Sequence, residues 1–175
     1  MVSLLGMILF FSMRLRLTIL IILFGFFSSY AQDSIDDALL KYNDHNVTYM
    51  NVDEAQDLKD HVFLDSRKKE EFVVSHIAEA KWVGTGKLDA EEMSALVPDK
   101  TTPIIVYCSI GVRSENTAEQ FLEAGYTNVH NLYGGIFEWK NKGYPVFDSQ
   151  GKETNKVHAF SKHWGKFLTK GEKVY

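Results

Sequence analysis

"IIVYCSIGVRSENTAEQFLEAG", residues 104–125, reads as a strand, a short loop and a helix. Ile104, Ile105, Val106 and Tyr107 form a continuous β-branched and aromatic run, suited to a strand buried on both faces. Farther on, Ala118, Phe121, Leu122 and Gly125 fall at i, i+3, i+4 and i+7, while Glu115, Glu119, Gln120 and Glu123 take the other face. That spacing predicts an amphipathic helix with Gly125 as its left-handed cap. Between strand and helix lies the single cysteine of the chain, Cys108, followed by Ser109, Ile110, Gly111, Val112 and Arg113. A buried strand that feeds a helix through so short a loop is a unit of a parallel sheet.

The flanking segments repeat the alternation. Residues 47–50 read as a short strand, and Asn51 with Glu54 forms a capping box for a helix through Leu58. Residues 62–64 are a brief apolar run, 67–76 have weak helical character, and 80–83 suit another short strand. Asp89 with Glu92 makes a second capping box, for a helix reaching about Leu96. A strand is expected at 129–132, a turn at Gly134-Gly135, and a helix over 136–142 ended by Gly143 and Pro145. Strands alternating with helices give an α/β domain with a mostly parallel sheet. Residues 32–46 read as a polar lead-in with one weak helical turn. Residues 149–175, rich in lysine and aromatics, read as a C-terminal extension packed on the domain or trailing from it, a solvated surface segment rather than a basic docking patch.

The chain has 175 residues, 45% hydrophobic and 24% charged, with a net charge of −4. That suits one globular domain and, without a dense basic face, argues against nucleic acid as a partner. One cysteine permits neither an internal disulfide nor a cysteine-rich zinc site. From Met13 the sequence runs "MRLRLTILIILFGFFSSYAQDS": Arg14 and Arg16, then an apolar stretch over 17–27, then Ser29-Tyr30-Ala31. This is the pattern of a secretory signal peptide, with a start at Met13 and cleavage after Ala31. The apolar run is short for a membrane span of about 20 residues. The expected product is exported, periplasmic or secreted, with no stable membrane insertion once residues 1–31 are removed. An uncleaved N-terminal anchor is the competing reading.

An exported lone thiol needs either burial or a task. In a parallel sheet, ligands sit beyond the carboxyl ends of strands, where Cys108 is placed. The loop after it is short enough for backbone N–H groups to curl around the sulfur, and Gly111 permits the backbone angles this requires. Ser114 is expected to cap the following helix. A nest of N–H dipoles, a helix dipole and the Arg113 charge would together favour a thiolate open to solvent. A buried structural cysteine is the alternative, but Gly and Arg directly after the thiol suit an anion cradle better.

Two stretches carry a family resemblance. "VFLDSRKKEEFVVSHIAEAKWV" (62–83) resembles the leading motif of rhodanese-like domains, an Asp-x-Arg after a buried strand, then Glu-Phe and His-Ile. "PIIVYCSIGVRSENTAEQFLEAGYTNVHNLYGGIFEWKNKGYPV" (103–146) resembles their catalytic half, with its C-x-x-G-x-R-S loop, Gly-Gly and closing Trp139, Gly143 and Pro145. Where the family usually shows Gly-His-Ile-Pro-Gly-Ala, this chain has Ser75 through Ala80. The likeness places a three-layer rhodanese-like domain over residues 47–148.

The resemblance implies a sulfurtransferase. The Cys108 thiolate would take the outer sulfur of a small sulfur-containing anion such as thiosulfate, and the persulfide would pass it to cyanide, a thiol or a protein acceptor. Arg113 would orient the donor, and the N–H groups from Ser109, Ile110, Gly111, Val112 to Ser114 would hold the persulfide anion. No metal or organic cofactor is implied. A carrier that loads once, or a non-enzymatic binding module, would leave the same signature. Cysteine phosphatases and arsenate reductases have five residues between Cys and Arg where this chain has four. Asp65 and Arg67 are expected to form an ion-pair network with Glu71 that supports the loop, and His76 to be structural. His45, His61, His130, His158 and His163 show no metal-ligand spacing. Trp82 and Trp139 suit core or pocket wall, and Phe137 the pocket edge.

Overall fold

The computed structural model describes residues 34–175. The leader and its cleavage site lie outside the described residues. Among the described residues, no helix is long and apolar enough to cross a membrane.

Five strands make an all-parallel sheet: β1 (Tyr49–Met50), β2 (Val62–Asp65), β3 (Lys81–Trp82), β4 (Ile104–Tyr107) and β5 (Val129–Leu132), in the order β1-β5-β4-β2-β3. β4 lies at the centre and is wholly buried. The period of two along a strand explains why. Ile105 and Tyr107 enter one apolar cluster, and Ile104 and Val106 the other. Helix α1 (Ile35–Tyr42), α2 (Val52–Asp57) and α6 (Gly135–Asn141) give Ala38, Ala55 and Trp139 to the first cluster, which Phe72 of α3 (Lys69–Val74) also meets. Helix α4 (Ala90–Leu96) and α5 (Arg113–Glu123) give Met93, Ala118 and Phe121 to the second. Helices thus cover both faces, and the expected three-layer α/β arrangement is what the chain forms.

Local signals explain several boundaries. Asn51–Glu54 and Asp89–Glu92 are both complete capping boxes. Gly125 ends α5 at φ +87°, where its N–H reaches Leu122 O and that of Tyr126 reaches Phe121 O, a paired left-handed cap. Elsewhere tertiary contacts override the pattern. Glu115, expected on the polar face of α5, is buried and accepts from the Asp44 N–H at 2.9 Å. Glu79, at the second of the two positions where the family has Pro-Gly, adopts φ +58°, a conformation that glycine takes at lower cost.

Both flanking segments depart from expectation. The lead-in holds a two-turn helix, α1, started by a Ser34–Asp37 capping box and seated through Ala38 and Leu39. The C-terminal segment is not a solvated tail. Beyond β6 (Val146–Phe147) and its antiparallel partner β7 (Glu153–Thr154), strands β8 (Lys156–His158) and β9 (Glu172–Val174) pair in parallel around a 3-10 turn at Trp164–Phe167. Val157, Ala159 and Leu168 are fully buried in the cluster that also holds Trp139. Apolar anchors at these positions outweigh the lysines, whose stems tolerate the surface.

Candidate active site

Cys108 follows the last residue of β4 and stands at the carboxyl edge of the sheet. The loop that follows is shaped from three sides. From α6, the Ile136 and Phe137 N–H groups donate to the Cys108 and Ser109 carbonyls at 3.0 and 3.1 Å. Those carbonyls are thereby satisfied, leaving the amides that follow to serve the sulfur. This close approach requires Gly135, at φ +53°, because a Cβ there would collide with the Cys108 carbonyl oxygen and with Ser109. Gly135→Ala is accordingly expected to lower stability by about 1–3 kcal/mol, read as a reduced midpoint in urea, and to slow any reaction of the Cys108 thiol.

Gly111 is fixed from the second side. Its carbonyl accepts from the Asn43 and Asn131 side-chain amides at 2.9 and 2.8 Å, and its φ is +103°. A Cβ would press on Leu132 O and the Leu39 side chain. Held this way, the Gly111 N–H donates to Cys108 Sγ at 3.2 Å. Ser114 does not cap α5, which begins after Val112 without a side-chain cap. Its hydroxyl instead donates to Asn131 Oδ1 at 2.7 Å, tying the helix start to β5.

From the third side, Glu71 meets Arg113. Arg113 Nη1 and Nη2 donate to the two Glu71 oxygens at 2.7 and 2.8 Å, and Nη2 also donates to Ser109 Oγ at 2.9 Å. The expected Asp65, Arg67 and Glu71 network is therefore divided. Arg67 forks onto Asp65, both wholly buried, and donates to Ser75 O at 2.6 Å. Ser66 N–H and Oγ both donate to Tyr107 O, bracing the residue before Cys108. Glu71 belongs to Arg113.

Burial pushes the Cys108 thiol up, but the Arg113 charge and the Ser114 and Ile110 amides outweigh it, leaving the thiol below its ordinary value. Burial likewise pushes Glu71 up, yet its bonds with Arg113 hold the carboxyl below the usual range. A thiol so placed ionises more readily than a free one, and the thiolate is the nucleophilic form.

The sulfur is not open to solvent as expected: Cys108 is 1% exposed. It faces a cavity of about 210 Å³, walled by Ile110, Val112, Phe160 and Trp164 beside Ser109 and Arg113. Phe137, expected at the pocket edge, is core, as is Trp139, whereas Trp82 is 40% exposed and donates to Arg67 O. His76 stacks on Phe72 and bridges by its backbone to Phe147, a structural position. Among the described residues no group of three metal-ligating side chains occurs. Asn43, Asn131, Phe160 and Trp164 reach the site from distant segments, and no local pattern announces them. Only Glu71, in the Glu-Phe of the leading motif, carried a signal.

Residues 48–142 match the model of the rhodanese-like domain. The chain is 31% identical over 94 residues to the thiosulfate sulfurtransferase GlpE of Coxiella burnetii, a span of 54% of this chain and 85% of that protein. It is 29% identical over 149 residues to the tRNA uridine(34) hydroxylase of Sodalis glossinidius, covering 78% of this chain and 40% of that one. Among solved structures, a thiosulfate sulfurtransferase from Pseudomonas aeruginosa superimposes with a TM-score of 0.52 at 25% identity, over 70% of this chain and 23% of that one. With its parallel sheet, its cysteine loop and these matches, the chain belongs to the rhodanese-like domain family, whose matched members include sulfurtransferases.

Proposed function

We propose that the protein is a sulfurtransferase that moves sulfane sulfur from a small donor to cyanide or a thiol through a persulfide on Cys108. The Gly111 N–H held on Sγ at 3.2 Å carries this reading, because it marks a site built for negative charge on sulfur. The Cys108 thiolate attacks the outer sulfur of a donor such as thiosulfate. The S–S bond of the donor breaks, sulfite leaves with the electron pair, and Cys108 carries –S–S⁻. Cyanide then takes the terminal sulfur as thiocyanate and the thiolate is restored. No metal or organic cofactor is required for this balance. The amides around Gly111 stabilise the anionic terminal sulfur, and Arg113 stabilises charge on both forms.

The near-complete burial of Cys108 favours small reactants over a carrier that displays its persulfide to a partner protein. A protein acceptor would have to reach the sulfur through the cavity. The proposal includes export, on the basic and then apolar residues 14–27. Initial rates with donor and cyanide varied together are expected to give parallel double-reciprocal lines and many thiocyanates per chain. A single thiocyanate per chain, with no further turnover, would identify a carrier instead.

A further inference from the structure

We infer that the cavity over Cys108 selects sulfur donors with an uncharged, apolar body, aliphatic or aromatic, over the inorganic thiosulfate dianion, and that Phe160 and Trp164 set this preference. The inference rests on the Cys108 persulfide proposed above.

Charge is the first ground. Among the described residues, Arg113 is the one charged side chain on the cavity wall. Its guanidinium is already shared between a two-pronged contact with the buried Glu71 carboxylate and the Cys108 sulfur, so no unpaired positive charge is left for an incoming donor. A dianion entering would lose its hydration without meeting an unpaired cation. A donor whose charge is confined to the reacting sulfur group would lose less.

Shape is the second. A cavity of about 210 Å³ exceeds the roughly 150 Å³ in which an apolar-lined cavity takes up benzene. Ile110, Val112, Phe160 and Trp164 supply the apolar wall. A phenyl or short alkyl group fills that volume, whereas a sulfonate head leaves most of it empty and sets charged oxygens against rings.

The third ground is what holds Phe160 there. It sits at φ +61°, a left-handed conformation unfavourable for a bulky residue. The ring is 40% exposed, so burial in the core does not offset the strain. Its N–H is pinned to His158 Nδ1 at 3.1 Å, and its ring lies 4.7 Å from the Arg113 guanidinium carbon. Trp164 is held by an edge contact with Tyr42 of α1, centroids 5.6 Å apart. Strain maintained at a pocket mouth points to function rather than packing.

With an organic thiosulfonate, the Cys108 thiolate takes the sulfane sulfur to give Cys–S–S⁻, and the sulfinate leaves with the electron pair of the broken S–S bond. With an organic persulfide R–S–SH, Cys–S–SH forms and R–S⁻ leaves. Methanethiosulfonate, benzenethiosulfonate and thiosulfate, with cyanide as acceptor, vary body and charge around one reaction. For the unaltered full chain, KM is expected to fall at least tenfold from thiosulfate to benzenethiosulfonate, with methanethiosulfonate between them. Phe160→Ala and Trp164→Ala should each reduce the benzenethiosulfonate-to-thiosulfate ratio of kcat/KM at least fivefold, a comparison in which intrinsic donor reactivity cancels. Phe160→Gly, which relieves the backbone strain, should lose the preference without a lower melting temperature. Equal losses for all three donors, or a ratio that does not move, would overturn the inference while leaving the persulfide reading intact. If no donor transferred sulfur to Cys108, both would fall together.

Discussion

Cys108→Ser is expected to abolish thiocyanate formation from any sulfane-sulfur donor while leaving the fold in place. The serine hydroxyl is almost never ionised near neutral pH and forms no persulfide, so both half-reactions disappear rather than slow. The substitution is nearly isosteric, and the oxygen still accepts from the Gly111 N–H that now meets Sγ at 3.2 Å. Stability should change by about 1 kcal/mol or less, a shift of only a few degrees in melting temperature for a domain of this size. Thiocyanate release and a thermal melt of the same preparation check the two halves. Retained turnover would remove Cys108 from the mechanism, and a collapsed melt would make it a structural residue first.

Arg113→Ala is expected to have the next largest effect, on both stability and reactivity. Glu71 is 1% exposed in its side chain and Arg113 24%, so removal of the guanidinium strands a carboxylate. Breaking a fully buried pair typically costs about 3–5 kcal/mol; the partial exposure of Arg113 reduces the expected loss to roughly 2–4 kcal/mol. Glu71→Gln added to Arg113→Ala should recover much of it, because the amide carries no charge to strand. The pH dependence follows from Glu71. Its carboxyl lies below the ordinary 4.5 in the fold, so the pair contributes stability above that pH and loses it as pH falls through the lowered value. Without Arg113, only the Lys68 N–H and the Arg67 charge still oppose burial, so the Glu71 carboxyl rises from its present position and the gap between the two proteins should narrow in acid. At the sulfur the loss of positive charge raises the thiol, and the pH profile of alkylation should move upward. Urea midpoints across pH and alkylation rates test these together.

Much of the fold was legible because its determinants are local or periodic. The apolar run at Ile104 through Tyr107 marks a strand whose two faces are both covered, and two of the capping boxes fix helix starts within four residues of sequence. The cysteine loop was legible for the same reason, since the Gly111 backbone and Arg113 lie within five residues of the thiol. What stayed hidden depends on contacts across the chain. Asn43 and Asn131 stand 68 and 20 residues from the Gly111 carbonyl they hold. Polar residues with such a task look like any surface asparagine. Glu71 is visible in the leading motif, where its sequence neighbours suggest a network with Asp65 and Arg67, whereas Arg113 lies 42 residues away and wins on geometry. The C-terminal segment misled most. Its lysines suggested solvent, while the alternation Val157, Ala159 placed two small apolar residues on one inward face, too short a signal to outweigh composition. As a result the pocket walls Phe160 and Trp164 were missed, and with them the apolar character of the site.

The claim on which all of this stands is that the loop makes Cys108 an ionised sulfur that takes up one more. Intact mass of the protein after brief exposure to thiosulfate or benzenethiosulfonate tests it directly. The account predicts a gain of one sulfur atom per chain, confined to Cys108, absent in Cys108→Ser and removed by cyanide. A mass unchanged by either donor, in protein whose Cys108 is still reduced, would contradict it.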